Sequence, residues 1–203
     1  MANIATRAAA VLVTAALAVA LSGGRAAADT YSLFFNKTFG AADPQPASPA
    51  PWLTAVFEDV DQNADSVYDF VRLTLAAPGL APGEFPSEWY FNVGGNDAAE
   101  ATTISGMTAE WLGEAEGGVK GTPYFAQNAF KAGGDGWFDL IIEFPRGEDE
   151  RLVSGDTSVY KLTGVNVARL RGMLSAPWKD LDVAPPVDPG GYGPFLAAAH
   201  IQG

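Results

Sequence analysis

The stretch WLTAVFEDVDQNADSVYDFVRLTL, Trp52 to Leu75, decides the fold class. Its arms, WLTAVFED (Trp52 to Asp59) and SVYDFVRLTL (Ser66 to Leu75), are rich in aromatic and β-branched residues, which suit a pleated, half-buried surface. DVDQNAD between them consists of residues that tolerate tight turns. The spacing predicts two antiparallel strands joined by a loop of about five residues.

Further strands follow on either side. YSLFF (Tyr31 to Phe35) reads as a first strand, and SEWYFNVG (Ser87 to Gly94) as a short one ended by glycine. GWFDLIIEF (Gly136 to Phe144) alternates most clearly: Phe138, Leu140, Ile142 and Phe144 fall on one face, Asp139 and Glu143 on the other. SVYKLTGV (Ser158 to Val165), ARLRGML (Ala168 to Leu174) and a closing segment from Phe195 to Ile201 add three more. TTISGM (Thr102 to Met107) reads as a strand, and TAEWLGEAEGG (Thr108 to Gly118) as a helical turn or another strand. About seven to nine short strands between Gly- and Pro-rich turns, with almost no amphipathic helix, predict an all-β single domain, a β-sandwich of jelly-roll-like form, with a β-barrel as the alternative.

The N-terminus reads as a leader. Arg7 precedes the uncharged apolar run Ala8 to Leu21, and Ala26, Ala27 and Ala28 offer a small-residue cleavage point. The run is short for a bilayer span, which needs about 20 apolar residues. The expected organisation is a signal peptide at 1–28, an N-terminal segment at 29–51 and a β-sandwich at 52–203. The 29–51 segment ends in a connector carrying Pro44, Pro46, Pro49 and Pro51, each of which fixes φ and lacks a backbone donor. The expected location is secreted, extracellular or at the cell surface, and no membrane span is expected after cleavage. The chain has no cysteine, so an exported form must be held together by packing, or by packing plus a metal ion.

Charge narrows the partners. The chain has 24 acidic and 12 basic residues; Arg7 and Arg25 precede Asp29, which leaves ten basic against 24 acidic, a net −14 from Asp29 onward. Nucleic acid is excluded, because phosphate contact needs clustered Lys and Arg. Extracellular glycans and matrix components remain as partners.

The stretches PWLTAVFEDV, SEWYFNVG, NAFKAGGDGWFDLIIEF and GPFLAAAHIQG resemble a group of secreted bacterial proteins of the PEP-CTERM-associated type. The resemblance runs through most of the chain from Trp52 onward. It implies an exported all-β protein and brings no catalytic residues with it. The Pro-Glu-Pro sorting tail usual in that group is not among the 203 residues.

Three sets of residues carry possible chemistry. Asp59, Asp61, Asn63 and Asp65 alternate as in a calcium loop, with Asp135 among glycines as a second source of oxygens. A 12-residue calcium loop also wants glycine at position 6 and glutamate at position 12. Starting from Asp59 those positions hold Ala64 and Phe70, so the plainer reading is a hairpin tip whose side chains bond their own backbone. Any calcium site would be of a different kind. Aromatic residues near loops and strand ends, Trp89, Tyr90, Trp137, Trp178 and Tyr192, are the candidates for stacking on sugars, against the ordinary role of packing. Glu58, Glu88, Asp139 and Glu143 are the carboxylates that a glycoside hydrolase would draw on. His200 is the only histidine, too few for a multi-histidine zinc centre, and reads as a hydrogen-bonded strand residue. No catalytic residue is assigned. The expected function is that of a non-enzymatic β-sandwich protein of the cell surface or extracellular matrix. A carbohydrate-binding module, with or without calcium, is the alternative, and a carboxylate-dependent glycosidase is the third reading.

Overall fold

The computed structural model describes residues 6–11, 28–38, 51–65, 67–93, 104–113, 118–132, 135–170 and 197–203, with the backbone alone at 6–11, 36–38 and 135–137. Ten strands run through them: β1 (Thr6–Val11), β2 (Thr30–Thr38), β3 (Leu53–Val60), β4 (Phe70–Ala76), β5 (Phe85–Phe91), β6 (Thr108–Trp111), β7 (Thr122–Ala132), β8 (Asp135–Glu143), β9 (Thr157–Thr163) and β10 (Ala197–Gln202). They are hydrogen-bonded side by side in the order β6-β9-β4-β3-β2-β1-β10-β5-β8-β7, and every pair is antiparallel.

The sheet is folded over on itself. β3 and β5 are four places apart in that order, which in a flat sheet means about 19 Å at about 4.8 Å per strand. Yet the rings of Phe57 on β3 and Phe91 on β5 lie 5.7 Å apart, edge to face. Phe35 on β2 meets Trp89 on β5 at 5.0 Å in the same manner. The two halves therefore face each other as the layers of a sandwich-like all-β domain. The turn between them crosses β1 and β10, where ladder irregularities fall at Ala10/Val11 and His200/Ile201; such irregularities bend a strand locally.

Period-2 alternation supplies the core. Leu53, Ala55 and Phe57 on β3, Leu73 and Leu75 on β4, and Tyr160 and Leu162 on β9 point inward from one layer; Trp89, Phe91, Leu140, Ile142, Ala199 and Ile201 answer from the other. Burying one such Leu or Phe side chain contributes roughly 1.5–3 kcal/mol, so this interlayer cluster is the main source of stability in a chain without disulfides.

The layers are joined at one corner. Chain leaving β6 continues along β9, with Leu112 N donating to Val159 O at 3.0 Å and Val119 N to Thr157 O at 3.2 Å. At Gly121 it passes into the other layer as β7. A Cβ there would stand 2.8 Å from both Ile142 Cγ2 and the Tyr160 hydroxyl, so only glycine fits the crossing. Among the described residues the outer edges of β6 and β7 do not pair, so the sheet is not a closed barrel.

Several sequence expectations change here. The loop after β3 is longer than predicted and runs over 61–69, because Asp69 accepts from Gln62 N at 2.7 Å through Oδ2 and its own N–H donates to Val60 O at 2.8 Å. Within TTISGM the described residues are not strand: 104–106 form a helical turn, and the strand is Thr108–Trp111. The start of ARLRGML is helical at 167–170, since Asn166 caps it by accepting from Arg169 N at 2.8 Å. β7 was not anticipated. Phe138 leaves the face it was assigned. It packs with Tyr90, Ala132, Ile141 and Ala198 in a second apolar cluster, while Leu140 and Ile142 remain in the interlayer core. Asp139 sits at the slip. It is buried, and its Oδ1 accepts from Asn128 N at 2.7 Å. Asn128 has φ +48°, and the β7–β8 register breaks between Phe125 and Phe130. The Pro-rich connector lies outside the described residues. Thr6–Val11, within the stretch read as a leader, forms β1 between β2 and β10.

Candidate functional site

Chemistry-bearing side chains gather on the face of β5 and β10 away from the interlayer core. Trp89 and Phe91 turn inward, so Glu88 and Tyr90 turn outward. On β10 Ala199 and Ile201 turn inward, so His200 shares the outer face and stands directly opposite Glu88. The row continues across the layer: Glu88 pairs with Glu143 on β8, and Glu143 with Thr122 on β7. Arg146, just beyond β8, reaches back over it.

Glu88 is the centre of the cluster. Its Oε2 accepts from the Tyr90 hydroxyl at 2.7 Å and meets His200 Nδ1; its Oε1 takes Arg146 Nη2 at 3.3 Å. The Glu88 and His200 side chains are 18% and 12% exposed, so these contacts are largely shielded from water. The His200 hydrogen bond lowers the Glu88 carboxyl from 4.5 to about 2, against the upward pull of burial and with help from Tyr90 and Arg146. Burial, then the hydrogen bond to Glu88, pushes the Tyr90 hydroxyl above its ordinary range. The Tyr90 ring lies between Phe138, at 5.5 Å, and His200, at 5.3 Å.

Two carboxylates directly opposite each other on neighbouring strands repel. Arg146 offsets this at Glu88 by its charge, and the Tyr90 hydroxyl and His200 Nδ1 by hydrogen bonding, while Glu143 is exposed to water. Glycoside cleavage needs one carboxyl held protonated by a raised pKa. Glu88 is moved the opposite way and stays a fixed anion that bonds β5 to β10. Asp139 is committed to the Asn128 amide, and Glu58 forms a surface ion pair with Arg72 at 3.7 Å.

The sugar-stacking candidates divide. Trp89 is fully buried against Phe35, and Tyr90 is buried, so neither ring offers a face to a ligand. Trp137 occupies a β8 position opposite Lys131. Trp178 and Tyr192 lie outside the described residues.

The calcium candidates divide as well. Asp59 belongs to the buried face of β3 and accepts from Val167 N at 2.8 Å, so its carboxylate is committed inward and not to the loop. Asp65 N donates to Asn63 Oδ1 at 3.1 Å and to Asp61 Oδ1 at 3.3 Å, and Val67 N to Asp65 Oδ1 at 2.8 Å. Ala64 takes φ +61° in the same turn. The loop acids thus hold their own backbone, as Asx turns do. Asp135 opens β8 opposite Ala132. Among the described residues, no three His, Cys, Asp or Glu side chains stand where they could share a metal ion.

Glu88 and Tyr90 could have been grouped from their spacing of two in a strand. Their meeting with His200 could not, because it depends on a β5–β10 register set by residues more than a hundred positions apart. No family model, curated protein or solved structure matches this chain.

Proposed function

We propose that the chain is an exported, non-enzymatic β-sandwich protein acting at the cell surface or in an extracellular matrix. The observation that carries this reading is the state of Glu88. The best-placed carboxylate of the outer face is held as an anion by His200, Tyr90 and Arg146, so it binds strands together instead of supplying a proton. The leader-like segment before Asp29 and the net negative charge beyond it support export and a non-nucleic-acid partner. The carbohydrate-binding alternative falls to Trp137, Trp178 and Tyr192. At the hairpin loop Asp61, Asn63 and Asp65 accept their own backbone amides, the arrangement of a self-contained turn.

Two measurements test the proposal together. N-terminal sequencing of the protein from culture medium is expected to begin at Asp29; recovery only from the cell interior sinks the export reading. Chromogenic glycosides are expected to remain uncleaved. Hydrolysis that disappears in both Glu88→Gln and Glu143→Gln would instead make the protein a glycosidase.

A further inference from the structure

We infer that residues 118–121 act as a hydrogen-bonded latch on the open side of the sandwich, so that the fold opens locally by releasing this strap before anything else. The open side is where the outer edges of β6 and β7 face away without a ladder between them. Among the described residues the strap alone spans it, and its hold on β9 is an ordered ring of hydrogen bonds. Gly121 N donates to the Tyr160 hydroxyl at 2.8 Å. Ser158 Oγ lies 3.0 Å from that hydroxyl and also meets Val119 O.

A serine hydroxyl has one hydrogen to give. If it went to Tyr160, the Val119 carbonyl would lose it and the Tyr160 hydrogen would have no acceptor among these groups. One assignment serves them all: Gly121 N–H to Tyr160, Tyr160 O–H to Ser158, Ser158 O–H to Val119 C=O. The ring starts and ends on the strap, two residues apart, and passes through two fully buried side chains of β9. At the Gly121–Tyr160–Ser158 end the members are buried, so losing either hydroxyl strands a buried partner there, while the half-buried Val119 carbonyl stands nearer to water. Among the described residues, the rest of the strap's hold is the Val119–Thr157 backbone bond, the half-buried Val119 side chain packed against the edge of the interlayer core, and Lys120 Nζ, 5.8 Å from the centre of the Trp111 ring. Phe57 on β3 and Phe91 on β5 are held by ring packing in which residues 118–121 take no part.

Native-state hydrogen exchange on the full chain tests the latch, with Tyr160→Phe, Ser158→Ala and the double variant. In each single variant the Leu112, Val119 and Gly121 amides are expected to exchange about tenfold faster, while the Ala55 and Phe57 amides of β3 keep their rates. Because the two hydroxyls belong to one ring, the double variant is expected to accelerate exchange by much less than the product of the two single effects. Equal acceleration at the strap and at β3 overturns the inference, as does no acceleration or a full product in the double variant. Should Tyr160→Phe fail to fold, Ser158→Ala, which leaves the buried ring in place, decides by the same contrast between strap and β3.

Discussion

His200 on β10 and Glu88 on β5 stand directly opposite each other, and Nδ1 of one meets Oε2 of the other on the outer face of the sandwich. This pair makes part of the domain's stability depend on pH in acid. Glu88 titrates at about 2 in the folded chain and near 4.5 when free. A depressed carboxyl stabilises the fold above its free value, and that contribution is lost as pH falls from 4.5 towards 2. The upper bound is about 3 kcal/mol. The melting temperature is expected to drop across this window. In Glu88→Gln it is expected to start lower and fall less steeply, and parallel pH curves for the two proteins would remove Glu88 as the cause.

The fold-over of the sheet predicts an energetic coupling. Phe57 and Phe91 touch only because β3 and β5 face each other across the layers. Each change to Ala is expected to cost about 3–5 kcal/mol in urea unfolding. The double variant is expected to cost less than the two together by at least about 0.5 kcal/mol, the range for an edge-to-face pair in contact. Strict additivity would mean that the two layers do not meet at these rings.

Two glycines separate backbone strain from crowding. Gly155 and Gly164 both take φ in the left-handed region, at +92° and +80°. A Cβ at Gly155 meets nothing within 4 Å, whereas one at Gly164 would stand 2.5 Å from Gly106 O. Gly155→Ala is expected to cost about 1–2 kcal/mol from the backbone alone. Gly164→Ala carries that strain plus a clash with main chain that has no rotamer to escape into. Urea midpoints give the order; equal midpoints would refute it.

The parts legible in sequence were those set by neighbours in the chain. Leu53, Ala55 and Phe57 advertise a buried face through spacing alone, and the turn residues between β3 and β4 advertise the hairpin. Phe138 was misplaced where the alternation breaks beside a buried acid, Asp139, which bonds Asn128 on another strand. Asp59 was grouped with Asp61 and Asn63 by spacing, but the pleat turns it inward to the Val167 amide. The Glu88–His200 pair needs the register of strands from opposite ends of the chain, which no local pattern encodes.

The loop acids predict how the protein responds to calcium. Asp61, Asn63 and Asp65 bond their own backbone, and among the described residues no three acidic side chains stand together there to share an ion, so a chelator is expected to leave the melting temperature unchanged, and added calcium to leave it unraised. Asp59→Ala is expected to cost about 1–3 kcal/mol, because the buried Val167 amide loses an acceptor. A rise in melting temperature with calcium that vanishes in Asp61→Ala would put a metal in the loop.

The place of β1 leads to the last prediction. Thr6–Val11 pairs with β10 on one side and β2 on the other, yet it lies in the stretch that reads as a removable leader. Its ladders join Ala9 to Ala199 and Thr38, so cutting before Asp29 takes a strand from the middle of the sheet and leaves β2 and β10 each with an unpaired edge. Open edges lose backbone hydrogen bonds and invite pairing with other chains. A chain starting at Asp29 is therefore expected to unfold at lower urea than the full chain and to exchange its β2 and β10 amides faster, with those of β4 unchanged. Light scattering should also show a stronger tendency to self-associate. Equal urea midpoints with unchanged exchange would mean that β2 and β10 close up against each other once β1 has gone, and that the leader adds nothing to the folded sheet.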